Sequence, residues 1–113
     1  MGVAKLTRAE QEWLKRYRLE LTEGHSGAIE QMLLYGSKAR GDARPESDLD
    51  VLLVVRNEAA ARKRELRRIG YLLAAASNAV PSILAYTSDE WENRKNSGSP
   101  FRRNVERDEI RVL

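Results

Sequence analysis

Cysteine is absent from the 113 residues, which excludes disulfides, thiolate metal centres and a cysteine nucleophile, and permits a reducing compartment. Aromatic residues amount to only 6%, so few large side chains are on hand for the core. The single histidine, His25, sits in a glycine-flanked loop without an acidic cluster beside it, where a solvated loop residue is the simpler reading than a metal ligand. Any metal is left to oxygen donors. No apolar run approaches the length of a bilayer span, and Met1 to Leu14, charged at Lys5, Arg8, Glu10 and Glu12, has no apolar leader core; a soluble, cytoplasmic protein without a membrane partner is expected. Neither GxGxxG nor the Walker pattern (GxxxxGK followed by Ser or Thr) occurs, which removes the dinucleotide-fold and P-loop readings.

What is present reads as a globular chain: 42% apolar and 33% charged residues, enough for one compact domain over residues 1–113. Twenty Lys and Arg against seventeen Asp and Glu give a net charge of +3, which attracts phosphates but falls short of a dedicated nucleic-acid binder. The basic run from Arg62 to Arg68 reads as a solvated helix face, and direct nucleic-acid binding is not expected. Thr7 to Glu10 form a capping-box pattern that opens a helix with Leu6, Trp13, Leu14, Tyr17 and Leu21 on one face, ended by Gly24. Ala28 to Tyr35 reads as a buried strand, followed by a glycine-bearing turn from Gly36 to Pro45. Asp50 to Val55 is too continuously apolar for an edge strand and should lie centrally. A helix is predicted from Ala59 to about Ala79, and a third strand from Val80 to Thr87 with Pro81 at an edge or a start. A helix capped at Thr87, a last helical segment from Phe101 to Asp108 and a short strand from Ile110 to Leu113 complete the order. Strands and helices alternating in this way predict an α/β or α+β fold, a small mixed sheet with helices packed over it.

The chemistry concentrates between Leu34 and Asp50. Asp48 and Asp50, two apart at the start of a strand, project to the same side, close enough to share divalent cations, and hard oxygen ligands suit magnesium. Gly36 lets the backbone approach a phosphate without a Cβ in the way, and Ser37 adds a hydroxyl and an amide at the start of a helical turn. Arg40, one turn on, can reach a phosphate oxygen, whereas Lys38 points away from the same site. Either motif alone is most often a structural turn or cap; two aspartates beside a buried strand, next to a glycine-serine turn, call for a compensating cation or phosphate.

Gly36-Ser37, then Ala39-Arg40-Gly41 and Ser47-Asp48-Leu49-Asp50, resemble the signature of the minimal nucleotidyltransferases of the DNA polymerase β-like superfamily, and the stretch from Ser99 to Val105 resembles the tail of that group. The resemblance implies a polymerase β-like core in which Gly36 and Ser37 hold a nucleoside triphosphate, ATP first among them, and Asp48 and Asp50 bind two magnesium ions. It also implies transfer of a nucleoside monophosphate to a hydroxyl of a protein or small molecule. A helical HEPN-type protein is the partner it suggests, the two chains acting as antitoxin and toxin; a second copy of this chain could also present the acceptor. The family pattern has a third carboxylate on a later strand. Here Val80 to Tyr86 contains no acid, none lies from Leu66 through Ser88, and the nearest, Glu65 and Asp89, fall on predicted helices. The alternative expectation is therefore a degenerate nucleotide-binding module that acts by contact with its partner.

Overall fold

The computed structural model describes residues 5–44 and 46–113; Pro45, the last residue of the predicted glycine turn, lies outside them, as do residues 1–4. The predicted capping box is in place. Thr7 Oγ1 accepts the Glu10 amide at 3.1 Å while Glu10 Oε1 accepts the Thr7 amide at 2.8 Å, and helix α1 (Arg8–Gly24) follows. Every fourth residue from Trp13 through Tyr17 to Leu21 is buried, as a helical stripe against a core requires.

Strand β1 (Ile29–Tyr35) leads through a single helical turn, α2 (Gly36–Arg40), and a loop into β2 (Leu49–Val55). β1 and β2 pair antiparallel, with Tyr35 opposite Asp50. β3 (Pro81–Thr87) runs parallel to β2, with Asp50 beside Ser82 and Val55 beside Thr87. A parallel pair needs a long crossover, and it is built from a 3-10 segment (Asn57–Arg62) and helix α3 (Lys63–Ala75). Helices α4 (Ser88–Asn96) and α5 (Pro100–Asp108) precede β4 (Ile110–Arg111), which adds to the free side of β1. The sheet order β3-β2-β1-β4 makes β2 an interior strand, as its apolar run predicts, and makes β3 an edge strand with Pro81 as its first residue.

The predicted helix from Ala59 to Ala79 is shorter at both ends. Ala59, at φ −103° and ψ 16°, departs from helical geometry and leaves the first turn in the tighter 3-10 form. Beyond Ala75 the Ser77 hydroxyl bonds back to the Ala74 carbonyl and accepts the Ala79 amide, offering the backbone an alternative to another helical turn. Ala76 is the exposed C-cap.

Two layers of helix enclose the sheet. Met32, Leu34, Val51, Leu53, Val55 and Ile83 face α1 and α3, where they meet Trp13, Tyr17, Leu21 and Leu66. Leu33, Leu52 and Val54 face the other way, onto Trp91 of α4 and Val105 of α5. Strand alternation puts Asp50, with Tyr35 and Ser82 beside it, on this second face. No described helix is long and apolar enough to cross a membrane.

The first layer is held by close approach as well as by area. Tyr17 donates its hydroxyl to the Leu66 carbonyl at 2.7 Å, and the Trp13 indole donates to the Gly70 carbonyl at 2.8 Å. A Cβ on Gly70 would lie 2.8 and 2.9 Å from two carbons of the Tyr17 ring, which is fully buried and hydrogen bonded and has no room to give. Gly70→Ala gains helix propensity, about 1 kcal/mol at most, yet should lower stability by a net of about 1–3 kcal/mol because overpacking dominates. Urea unfolding of the two proteins measures the sign, and a stabilised variant would show that α3 can slide on α1.

Candidate functional site

β2 opens with Asp48-Leu49-Asp50. Leu49 is buried in the α1/α3 face, so its neighbours on either side turn their carboxylates to the opposite one. Asp48 is exposed and Asp50 is half-buried. Partial burial raises the Asp50 carboxyl above its ordinary value, the charge on Asp48 raises it further, and Arg40 opposes both. The charge on Asp48 is thus felt at Asp50, as their spacing predicts.

β1 delivers the other half. Gly36 follows Tyr35 with φ +75°, and a Cβ built there would run into Asp50 Oδ2 and lie 3.3 Å from Asp50 Cγ. The glycine is thus required twice, by its left-handed backbone and by the carboxylate packed against it. Ser37 is the second residue of α2, and its carbonyl accepts the Gly41 and Asp42 amides at 3.0 and 3.2 Å, which closes the turn. Gly36, Ser37, Asp48 and Asp50 therefore meet where the β1–α2 junction abuts the start of β2.

Arg40 lies within electrostatic reach of Asp50 but is engaged elsewhere. Its Nε donates to Asp42 at 3.2 Å and its Nη1 to Asp108 at 2.8 Å, which ties α2 to the end of α5. Asp108 is also held by Arg107, whose hydrogen bond is the main cause of its lowered carboxyl pKa, with Arg40 contributing to the same direction. Lys38 points away from the site, as its position predicts, and its Nζ lies 3.1 Å from Glu10 Oε1. Sequence reasoning assigned Glu10 only to the helix cap and gave Asp108 no role at all. The capping box accounts for one of Glu10's partners and conceals the other, and nothing local in the sequence links residue 40 to residue 108.

Beside Asp50 the sheet presents Tyr35 on one side and Ser82 on the other. Burial, with the Asp50 charge next, pushes the Tyr35 hydroxyl up to about 12, so it stays a neutral hydrogen-bonding group across the working pH range. Ile83, the next residue on β3, is buried on the other face. No acid stands in the row. Glu65 belongs to the layer on the far side of the sheet, where it pairs with Arg62. Asp89 is the second residue of α4, two after Thr87, and Thr87 lies beside Val55, roughly 17 Å along β2 from Asp50 at the strand rise per residue. Among the described residues no group of three or more His, Asp or Glu could hold a metal ion.

The family described as a nucleotidyltransferase domain matches residues 14–111. A stretch of 45 residues is 40% identical to the proposed protein adenylyltransferase MJ0604 of Methanocaldococcus jannaschii, and takes in 40% of this chain and 45% of that protein. The match thus spans less than half the length of that relative. A crystal structure of a proposed nucleotidyltransferase from Sulfolobus solfataricus aligns over 95% of this chain and 87% of its own, with 18% identity and a TM-score of 0.45.

The electrostatics of Asp50 fix a pH dependence. A carboxyl whose folded pKa is raised favours folding while it is protonated, and that contribution is lost as pH rises through its folded pKa. Asp50→Asn should therefore be more stable than the parent at about pH 7 and should lose this advantage near about pH 3, where both side chains are neutral. Urea unfolding at the two values tests it; an equal difference at both would assign the effect to packing and not to charge.

Proposed function

The chain belongs to the nucleotidyltransferase domain family, and on that premise we propose that it transfers AMP from ATP to a hydroxyl of a protein or small molecule. The observation that carries this reading is the seating of Asp50, paired with Asp48, directly against the backbone of Gly36. Two carboxylates on one side of a strand form a hard-oxygen donor set, and Asp50 is sufficiently desolvated to favour a cation beside it. The residues present thus fit magnesium, which Asp48 and Asp50 would hold. When bound, magnesium supplies neutralisation of the triphosphate and of the leaving pyrophosphate.

The remaining work falls to the chain's own groups. Gly36 admits the Asp50 carboxylate close to the backbone, and Ser37 offers its hydroxyl and amide to the distal phosphates. The oxygen of the acceptor hydroxyl forms its bond to the α-phosphorus as the bond to pyrophosphate breaks, and the hydroxyl proton passes to water. Arg40, already within electrostatic reach of Asp50, would add positive charge on the triphosphate side. AMP as the transferred group and a protein as the acceptor take support from the relative named a protein adenylyltransferase. A helical HEPN-type protein, acting as toxin to this chain's antitoxin, or a second copy would bring the acceptor.

One observation favours a second reading, a nucleotide-binding module that acts by contact with its partner. The place beside Asp50 where the family pattern leads one to expect a third carboxylate is held by Ser82. Binding should then survive where turnover is slow. Incubation with labelled ATP and magnesium, with and without the partner protein, separates the two by the presence or absence of AMP on the acceptor.

Asp48→Ala and Asp50→Ala should each abolish magnesium-dependent ATP binding without unfolding the protein, and unchanged affinity in calorimetry would refute the assigned site. Ser37→Ala should weaken ATP more than AMP, by about 1.5–3 kcal/mol for a lost hydrogen bond to a charged phosphate. Ser82→Asp, the variant that the sheet register selects over Ile83→Asp, should raise the rate of AMP transfer with little change in ATP affinity. A Ser82→Asp protein no faster than its parent would remove β3 from the list of places a carboxylate can act.

A further inference from the structure

Lys38 sits between Ser37 and Ala39 in a helix of only five residues, too short to hold its own shape, so its place is fixed by what it touches. Ala39 is fully buried, and Arg40 is bonded to Asp108 on the α5 side. On the opposite side the Lys38 ammonium meets Glu10 at 3.1 Å, with the two side chains only 2% and 5% exposed, and the Lys38 carbonyl accepts the Lys5 amide at 3.0 Å. The oxygen of Glu10 that faces Lys38 is the same one that accepts the Thr7 amide to cap α1. Burying two opposite charges is costly unless each meets the other well, and such a pair serves better to fix a unique arrangement than to add stability.

We infer that Glu10 and Lys38 are positioning residues, which set where Gly36 and Ser37 stand relative to Asp50 and so govern affinity for a nucleoside triphosphate from the back of the turn. The inference rests on the nucleotidyltransferase reading for its ligand, though not for its geometry. Asp50 leaves no slack above Gly36, so a shift of α2 toward or away from α1 changes the gap between Ser37 and the carboxylates. The two partners are not equivalent. Glu10 is anchored in α1 by its cap, whereas Lys38 carries α2 with it; loss of the Glu10 charge therefore displaces the turn.

Glu10→Gln keeps a side chain able to cap Thr7 and removes only the charge. It should weaken ATP by about tenfold in calorimetry with magnesium, and it should speed amide hydrogen exchange across residues 36–41 of the nucleotide-free protein while β2 exchanges as in the parent. Adding Lys38→Met to Glu10→Gln removes the mismatched charge without restoring the contact, so urea unfolding should move back toward the parent while ATP affinity stays low. Glu10→Gln with parental affinity and parental exchange, or a double variant whose ATP affinity returns to that of the parent, overturns the inference. Should Glu10→Gln not fold, Glu10→Asp keeps the charge but shortens its reach, and must draw α2 toward α1 with the same loss of ATP affinity; parental affinity there overturns the inference equally. A parent protein that binds no ATP instead overturns the nucleotidyltransferase reading, and exchange across residues 36–41 then decides the role of the pair by itself.

Discussion

Asp50 carries a carboxylate on a strand whose every other residue is buried, and its oxygen fills the space that a side chain at position 36 would need. An ionised group there is tolerable only at the strand's end, where one side still reaches solvent. The fold supplies that end. β2 lies between β1 and β3 along its whole length, so the Asp50 carboxylate can face neither along the sheet nor into the α1/α3 core, and it emerges on the α4/α5 face beside the α2 turn. Gly36 is the counterpart of this constraint: its left-handed backbone and bare Cα let the turn come up to the carboxylate.

A single helical turn has too few internal hydrogen bonds to be rigid, and the molecule secures α2 by charge from both flanks. Lys38 reaches back to α1 and Arg40 reaches across to Asp108. The two anchors differ in kind. Lys38 and Glu10 are withdrawn from water and their attraction is little screened, whereas Arg40 is partly exposed and shares Asp108 with Arg107. Asp108 thus retains a cation if Arg40 turns toward a phosphate.

The helical layers divide the labour between support and access. α1 and α3 cover one face of the sheet continuously, with Trp13 and Tyr17 bonded to α3 carbonyls so that no polar atom of those rings is stranded. On the other face α4 and α5 pack an aromatic group, Tyr35, Tyr86, Trp91 and Phe101, beside Leu52 and Val54. The row of Tyr35, Asp50 and Ser82 lies at the margin of that layer. Ser82 leaves the row with hydroxyls on either side of Asp50 and no second acid.

Periodicity and caps alone located nearly all the elements. The stripe from Trp13 to Leu21, the unbroken apolar run of β2 and the two capping boxes at Thr7 and Thr87 are local signals, and each states its own structure because the hydrogen bonds involved span a few residues. The candidate site was legible for the same reason: Gly36, Ser37, Asp48 and Asp50 lie within fifteen residues and are brought together by one antiparallel pairing. Register across a parallel pair carries no such local mark. Whether Ser82 or Ile83 stands beside Asp50 depends on how a crossover of more than twenty residues returns β3 to the sheet, and a slip of one residue would exchange the two faces. The ion pairs of Lys38 with Glu10 and of Arg40 with Asp108 join residues 28 and 68 apart. Only the packing of α1 and α5 around α2 could decide them, since a charge finds its partner through space and the chain records only its own order.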